Sequence, residues 1–411
     1  MIKLANILLR GLTLSSKFLL VFYLAKFLEP SELGLYGLIS ATIGYALYVL
    51  GLEFYTFSTR EFIKTPATEW GNYLKAQIYL TLIIYIVFLP ALSLIFTFKV
   101  LPLSYLGWFY LLLIFEHLTQ ELNRIFIAIS KPFLASVILF IRSALWILFV
   151  IPFMYKFEST RDLNHVFLFW AGGGIMAFTF SALILSRRKL GGWEKPVDWV
   201  WIKKGLKVAL PFLISALAIR GIFTLDRYFL DNYMSLHAVA AYVLFVSMAN
   251  AMISFLDSGV FVFLYPELIS AHANGHKQLF NQIMKKLTLQ VVLTTASFSF
   301  LAGFGVNIVL QLLNRPEYLD QSWQFKWIMM AMSCYSIGLV PQYGLYALGR
   351  DKEIIYGHFM SFIVFIITTI LIAQFNPLWS VIIGLIVSLG LGAFWNYWFY
   401  QKYISKVSPN S

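Results

Sequence analysis

The stretch GLKVALPFLISALAIRGIFTLDRYFLD, residues 205–231, combines the length of a membrane span with three charged side chains well inside it, Arg220, Asp226 and Arg227. About 20 apolar residues, each rising ~1.5 Å, cross the hydrocarbon core of a bilayer. A charge at the bilayer centre costs roughly 2.5–3.5 kcal/mol on insertion scales, so such groups face the protein interior or a water-filled cavity. Arg220 and Arg227 lie about two helical turns apart and share one face. We therefore predict that this helix lines the cavity of a transporter.

The composition of the whole chain is that of a protein embedded in a bilayer. Of its 411 residues, 60% are hydrophobic and 12% are charged, whereas soluble proteins carry about 25% charged residues. The single cysteine, Cys334, excludes a disulfide framework and a cysteine-based metal cluster. The formal net charge of +12 would suit nucleic acid, but the positive residues sit mostly in short loops. We therefore expect them to set topology and to attract anionic lipids, and we predict no nucleic-acid partner.

Hydropathy predicts an all-α integral membrane protein with about twelve transmembrane helices, each near the ~20 residues that a bilayer requires. Lysine and arginine concentrate in alternate loops, so the positive-inside rule places both termini in the cytoplasm. The expected spans are residues 4–28, 34–57, 77–98, 103–124, 133–155, 166–186, 206–230, 238–264, 287–311, 325–347, 354–374 and 378–401.

The most basic loop, RRKLGGWEKPVDWVWIKK at 187–204, is typical of a cytoplasmic linker between two halves, 1–186 and 205–411, with six expected spans each. The halves resemble each other, since RGLTLSSKF at 10–18 matches RGIFTLDRY at 220–228 with a constant shift. An even number of spans in each half makes the repeats parallel. We therefore expect two six-helix bundles related by a pseudo-twofold axis along the membrane normal, with substrate between them.

Basic residues at membrane depth are the candidate substrate-binding groups, and two alternatives remain open for them. Arg10 lies near the expected inner end of its helix and can snorkel to lipid phosphates. Glu116 and Arg142 lie about equally far from the turn near residue 130, so an antiparallel hairpin would let them form a structural ion pair. The candidates for an anionic substrate are Arg10, Lys17, Arg142, Arg220 and Arg227.

Acidic residues at membrane depth are the candidate ion-coupling groups. Carboxylates held away from water can bind and release a proton near neutral pH, so coupling to H⁺ or Na⁺ is expected to use Glu53, Glu116, Asp226 or Asp257. Glu53 and Asp257 fall in nearly the same turn of the second helix of each half. Asp226 has the alternative role of a partner for Arg227 or Arg220.

Four segments carry a resemblance to a known family: FLEPSELGLYGL (27–38), GLEFYTFSTREF (51–62), LPFLISALAIRGIFTLDRYFLDNYMS (210–235) and AAYVLF (240–245). With its short basic N-terminus and its layout of helices, the chain resembles the Wzx-type flippases of O-antigen and exopolysaccharide repeat units. These belong to the multidrug/oligosaccharidyl-lipid/polysaccharide exporter superfamily, abbreviated MOP, whose fold is also that of the MATE transporters. The resemblance is diffuse and covers the whole chain.

The resemblance implies two six-helix bundles, alternating access and a cationic central cavity. The implied cargo is an oligosaccharide on a polyprenyl diphosphate, moved across the bacterial cytoplasmic membrane with coupling to an ion gradient. Its implied partners are a polysaccharide polymerase and a chain-length regulator. The functional roles that the resemblance implies transfer by position most directly to Arg220, Asp226 and Arg227, and to Arg10 and Lys17.

Other functions fit the sequence less well. A drug exporter of the same fold would favour an acidic cavity, and flippases of peptidoglycan precursors usually have two extra helices. A membrane polymerase or glycosyltransferase would place catalytic groups in a large outer loop, which the spacing of the spans leaves no room for. The sequence has no P-loop, zinc-binding spacing or Gly-x-Ser-x-Gly elbow. We therefore expect a transporter without enzymatic activity or cofactor.

Overall fold

The computed structural model describes residues 2–188 and 190–407, with side chains for residues 9–188 and 190–405. Within these ranges the regular secondary structure is helical. The helices are α1 (Ile2–Phe27), α2 (Pro30–Gly51), α3 (Tyr55–Lys64), α4 (Trp70–Thr97), α5 (Leu106–Ala128), α6 (Pro132–Phe140), α7 (Trp146–Lys156), α8 (Leu163–Ser186), α9 (Trp199–Tyr233), α10 (Leu236–Leu256), α11 (Val262–Ala273), α12 (Lys277–Leu313), α13 (Pro316–Leu319), α14 (Trp323–Ala347), α15 (Asp351–Ala373) and α16 (Pro377–Val407).

Two pairs of these helices are continuous. A π-helical segment, Ile141–Leu145, joins α6 to α7, and another, Asp257–Phe261, joins α10 to α11. Counted this way, twelve helical segments of 22 residues or more lie in the described part of the chain. Nine of the described helices are long and apolar enough to cross a membrane by themselves. The expected all-α membrane fold with about twelve long helices is confirmed.

Helix ends differ from the expected spans where the backbone breaks. The second span was expected to reach residue 57, but α2 ends at Gly51 because Leu52 and Glu53 adopt positive φ angles of 48° and 54°. An L-residue in that region cannot continue a right-handed helix. The chain therefore turns at this point and starts the short, more polar helix α3.

The chain divides into two compact units, residues 1–23 with 38–217 and residues 24–37 with 218–411. Helices α1, α2 and α9 thus have residues in both units. The division into 1–186, 187–204 and 205–411 remains a prediction. Six residues of the expected linker, 199–204, already belong to α9.

Within the first unit, α5, α8 and the α6–α7 segment pack closely through small residues. Gly173 in α8 illustrates this, because a Cβ there would lie 2.7 Å from Cδ1 of Trp146. Small residues let membrane helices approach to van der Waals distance. Aromatic side chains, including the fully buried Phe109, Phe126 and Phe167, fill the remaining space.

Within the second unit, α16 packs along both α14 and α15. Gly338 in α14 faces Ala393 in α16, and an added Cβ would come within 2.7 Å of the alanine Cβ. Trp395 of α16 donates a hydrogen bond of 2.9 Å to the backbone carbonyl of Glu353 in α15. These contacts hold the last three long helices in fixed register.

Candidate functional site

An ion pair in the first unit contains two of the candidate residues. Nε of Arg142 lies 3.4 Å from Oε2 of Glu116, and Nη1 of Arg142 donates a 3.3 Å hydrogen bond to the backbone carbonyl of Glu116. The two side chains are only 13% and 12% exposed. The contact expected from the helix hairpin is therefore present. Arg142 stands on the π-helical segment, where the extra residue per turn changes the direction of the side chain.

The second oxygen of the Glu116 carboxylate also has a partner. Trp170 in α8 donates from Nε1 to Oε1 of Glu116 at 2.8 Å. The Trp170 ring stacks on Trp146, with centroids 6.0 Å apart and planes 8° apart. The sequence did not single out Trp170, because aromatic residues make up 18% of the chain and their spacing alone does not distinguish one from another.

Lys17 completes a group that we call the α1–α5 charge cluster, defined as Lys17, Glu116 and Arg142. The ammonium group of Lys17 is repelled by the Arg142 guanidinium and, less strongly, attracted by the Glu116 carboxylate. The side chain of Lys17 keeps exposed surface, although the protein surrounds its ammonium group. Two cations and one carboxylate make the formal charge of the cluster +1, so the cluster attracts anions.

Arg10 lies on the same helix as Lys17, about 10 Å further along the axis at ~1.5 Å per residue. Its Nε donates a 3.4 Å hydrogen bond to the hydroxyl of Ser136 in α6, and its side chain is exposed. The structure thus places Arg10 beside α6. This position is compatible both with substrate binding and with snorkelling.

Asp226 in the second unit is fully buried and hydrogen-bonded through both carboxylate oxygens. Tyr242 donates from its hydroxyl to Oδ2 at 2.6 Å, and the backbone amide of Arg227 donates to Oδ1 at 2.7 Å. The hydrogen bond between Asp226 and Arg227 therefore runs through the backbone amide, and the Arg227 charge adds an electrostatic attraction. Tyr242 was not identified from the sequence as the partner of Asp226.

The guanidinium of Arg227 points to a different group. Its Nη1 donates a 3.1 Å hydrogen bond to the backbone carbonyl of Gly37, in the part of α2 that belongs to the second unit. Its Nε has no hydrogen-bond partner among the described residues. The guanidinium also interacts electrostatically with the Asp226 carboxylate, and it has donor capacity left for an anion.

Arg220 and Asp257 come together on exposed positions of the second unit. The two side chains interact electrostatically, and Asp257 also interacts with Tyr343 of α14. Asp257 is the first residue of the second π-helical segment. Its counterpart Glu53 likewise stands at a break in the second long helix of its own half.

Tyr343 belongs to a group of rings that we call the tyrosine cluster: Tyr265, Tyr343 and Tyr346. The rings of Tyr265 and Tyr343 are 4.9 Å apart, and those of Tyr343 and Tyr346 are 6.4 Å apart. Aromatic residues make up 18% of the chain, and their spacing in the sequence does not show which ones come together. Only the packing of α11 against α14 assembles these three.

Glu53 belongs to another polar network of the first unit. It is buried and hydrogen-bonded to the hydroxyl of Tyr55, and the guanidinium of Arg124 lies 3.9 Å above the Tyr55 ring. Arg124 in turn pairs with Glu121 at 2.5 Å. The structure therefore surrounds Glu53 with polar partners.

A set of buried, hydrogen-bonded polar side chains in the second unit was also not identified from the sequence. Gln342 accepts a 3.3 Å hydrogen bond from the Asn396 side-chain amide, and its Oε1 lies 3.3 Å from Nε2 of His358. All three side chains are buried between α14, α15 and α16, beside a cavity of about 20 Å³. That volume is enough for one water molecule, since about 10–15 Å³ suffices.

Solved structures share this fold along nearly the whole chain. A multidrug resistance MATE family transporter of the MOP superfamily, in an inward-facing conformation, superposes with a TM-score of 0.76 at 13% identity, covering 95% of each chain. The lipid II flippase MurJ, in an inward closed conformation, superposes with a TM-score of 0.75 at 14% identity, covering 99% of this chain and 89% of MurJ. A multidrug resistance MATE family transporter in an outward-facing conformation superposes with a TM-score of 0.61 at 13% identity, covering 98% of this chain and 95% of that transporter.

Comparison of the sequence with known families and proteins does not assign the chain to a family. No protein-family model matches the chain, and no curated protein matches it. The structural likeness shows that the chain has the fold of the MATE and MurJ transporters and is a multi-pass membrane protein.

Proposed function

We propose that this protein is a flippase for a polyprenyl-diphosphate-linked oligosaccharide repeat unit. It moves the repeat unit by alternating access from the inner to the outer leaflet of the bacterial cytoplasmic membrane, for surface polysaccharide synthesis. The fold supports the class, because one protein that shares it is a lipid II flippase and others are multidrug transporters. The resemblance to Wzx-type flippases supports the cargo.

The single observation that carries the proposal is the net positive charge of the α1–α5 charge cluster. Glu116 neutralises one cation, and Lys17 interacts with both members of that ion pair while its own side chain stays exposed. A diphosphate carries negative charge that must be matched when it leaves water. Guanidinium and ammonium groups provide this match with short, charge-assisted hydrogen bonds.

The second unit, taken by itself, carries two candidate cations, each beside a carboxylate, and a group of tyrosine rings. Arg227 keeps donor capacity after its bond to the Gly37 carbonyl, and Arg220 stands near the tyrosine cluster. Tyrosine rings offer a flat apolar face together with a hydroxyl. We assign the cations to the diphosphate and the tyrosine cluster to the sugars.

Exporters of other cargo are less well supported. A site for cationic drugs needs a surplus of carboxylates, whereas the α1–α5 charge cluster has a surplus of cations and Asp226 already has two hydrogen-bond donors. A peptidoglycan precursor shares the diphosphate chemistry, so it is the principal alternative cargo. For an enzyme acting on the same lipids, the helices of the described chain leave no large outer domain between them.

Coupling to H⁺ or Na⁺ is part of the proposal, with Glu53, Glu116, Asp226 and Asp257 as the groups that exchange the ion. Both termini are proposed to be cytoplasmic. The polymerase and the chain-length regulator that use the same repeat unit are the proposed protein partners, and no cofactor is proposed.

The test is transport in proteoliposomes. A fluorescent polyprenyl-diphosphate oligosaccharide in the outer leaflet should become protected from a membrane-impermeant quencher when an ion gradient is applied. A fluorescent cationic drug should not be transported under the same conditions. Transport of the drug without transport of the diphosphate, or chemical conversion of the oligosaccharide, would contradict the proposal. Adding lipid II as a competitor and measuring transport of the fluorescent oligosaccharide lipid distinguishes the repeat unit from a peptidoglycan precursor as the cargo.

A further inference from the structure

A cavity of about 660 Å³ opens within the first unit, between α4, α5 and α8. Its wall is mostly apolar and includes Leu74, Leu118 and Phe178. Ile78 and Leu82 of α4 line it while remaining 50% and 52% exposed, so they mark an opening on the outer surface of α4. Only 11% of the apolar window of α4 is buried. The cavity is therefore open toward the hydrocarbon of the bilayer.

The length of the cavity matches one leaflet. Its lining on α4 runs from Leu74 to Tyr85, about 16 Å at ~1.5 Å per residue. The hydrocarbon core is about 30 Å thick, so one leaflet contributes about 15 Å. A single acyl chain lying along α4 would extend from the mouth of the cavity to its inner end.

Polar side chains of α4 and α5 also line the cavity and are bound to one another. At the inner end the Tyr85 hydroxyl and Nδ1 of His117 are 2.8 Å apart. Nearer the mouth, about one turn from Leu74, Gln77 donates to Glu121 at 2.9 Å. Such pairing lowers the cost of placing polar side chains against hydrocarbon. Nε2 of His117 and Oε1 of Gln77 have no hydrogen-bond partner among the described residues, so the pairing satisfies this polar wall in part.

The mouth, in contrast, is basic. Arg188 and Trp193 line it, and Nε of Arg188 has no hydrogen-bond partner in the described part of the chain. Lys75 donates to the backbone carbonyls of Trp193 and Lys195 at 2.9 and 2.8 Å, which fixes the loop at the mouth. Basic pockets between transmembrane helices bind anionic lipid headgroups, and tryptophan favours the level of the headgroups.

We propose that this cavity is a binding site for one anionic phospholipid, with an acyl chain between α4, α5 and α8 and its phosphate on Arg188. The cavity lies wholly in the first unit and shares no residue with the α1–α5 charge cluster. A bound lipid of this kind is therefore independent of the cargo that the protein moves. It fills an opening that would otherwise weaken the packing of α4.

The experiment is native mass spectrometry of the purified full-length protein in detergent, with phosphatidylglycerol and phosphatidylcholine of equal chain length. One phosphatidylglycerol should remain bound, with about tenfold preference over phosphatidylcholine, because phosphatidylglycerol is net anionic whereas the choline ammonium of phosphatidylcholine offsets its phosphate and is repelled by the basic mouth. Arg188→Gln should lower retention of phosphatidylglycerol about tenfold. The matched control is Arg187→Gln, which removes the same charge from an exposed neighbour outside the lining.

A second variant tests the apolar part of the site. Ala182 lines the cavity from α8, so Ala182→Trp should fill it and remove both lipids, and the smaller Ala182→Leu should weaken both. Arg188→Gln and Ala182→Leu keep the test decisive if Ala182→Trp does not fold. Equal loss with Arg187→Gln and Arg188→Gln, full lipid retention in Ala182→Leu, or displacement of phosphatidylglycerol by an added polyprenyl phosphate would each overturn the proposal.

Discussion

Arg142 and Glu116 face each other across the hairpin of α5 and α6, with Nε of Arg142 3.4 Å from Oε2 of Glu116, while Trp170 donates to the other carboxylate oxygen. Glu116 thus has a charged partner on one oxygen and a neutral one on the other. Because the pair is nearly buried, removing either charge leaves the other uncompensated. With Lys17 included, the formal charge of the α1–α5 charge cluster is +1 even when the ion pair is intact.

Reversing the Glu116–Arg142 pair separates its structural role from its transport role. The single changes Glu116→Arg and Arg142→Glu should each destabilise the protein by about 3–5 kcal/mol, as expected for breaking a buried ion pair. The double change should recover most of the protein level in the membrane but not transport, because Trp170 then faces a cation instead of its acceptor. Thermal unfolding and flipping are measured on the same preparations. Recovery of both would mean that the pair is purely structural.

Lys17 is expected to act on the cargo and to contribute little to stability. Its side chain is exposed, so Lys17→Ala should leave the unfolding temperature nearly unchanged while reducing flipping at least about tenfold, the effect of losing one charge-assisted hydrogen bond. Lys17→Arg should be milder, because it keeps the charge. The control is Lys26→Ala, the same change in the last turn of the same helix. Equal losses in Lys17→Ala and Lys26→Ala would argue against a specific contact.

Tyr242 is expected to stabilise the second unit through Asp226. Tyr242→Phe removes the donor to Oδ2 and leaves a fully buried carboxylate oxygen with an unmet bond, which should cost about 1–3 kcal/mol. The loss should appear as a lower unfolding temperature in detergent. Tyr397→Phe, at a side chain 55% exposed, is the matched control and should have no effect. If Asp226 also exchanges an ion, Asp226→Asn should change the dependence of transport on the gradient.

Arg220 is expected to be essential for export but not for folding. Arg220→Ala should abolish surface polysaccharide, since an exposed guanidinium near Asp257 and Tyr343 can bind phosphate, while the amount of protein in the membrane stays normal. Arg220→Lys should restore part of the activity, because it keeps the charge but loses the bidentate geometry. Arg60→Ala, at an exposed position of α3, controls for loss of positive charge. Normal polymer levels in Arg220→Ala would exclude the assigned role.

Helix α9 shows how much of the fold is readable from the sequence. Its apolar length predicted a span, and the structure places 35 residues in one helix, Trp199–Tyr233. The break after α2 was not predicted, because Leu52 and Glu53 are ordinary residues without the glycine that usually marks a positive φ. Their conformation depends on the packing around them, and hydropathy carries no information about it.

In the candidate site, too, some contacts were predictable from the sequence and others were not. The depth of Glu116 and Arg142 along two consecutive helices predicted their contact, since a hairpin relates residues by simple counting from the turn. The partners of Asp226 and Arg227 were not predictable, because Tyr242 and the carbonyl of Gly37 come from separate helices. Trp170 and the tyrosine cluster were missed for the same reason.

The amino-acid sequence by itself determined that this protein is a multi-pass membrane protein with about twelve long helices, and it predicted which charges lie at membrane depth. These properties follow from local apolarity and from the high cost of an unsatisfied backbone or charge in hydrocarbon. Only the tertiary structure decided which charges are neutralised, as in Glu116 with Arg142, and which keep capacity for a ligand, as in Arg227. That outcome depends on distances of a few ångströms between helices remote in sequence, and electrostatic energy changes steeply over such distances.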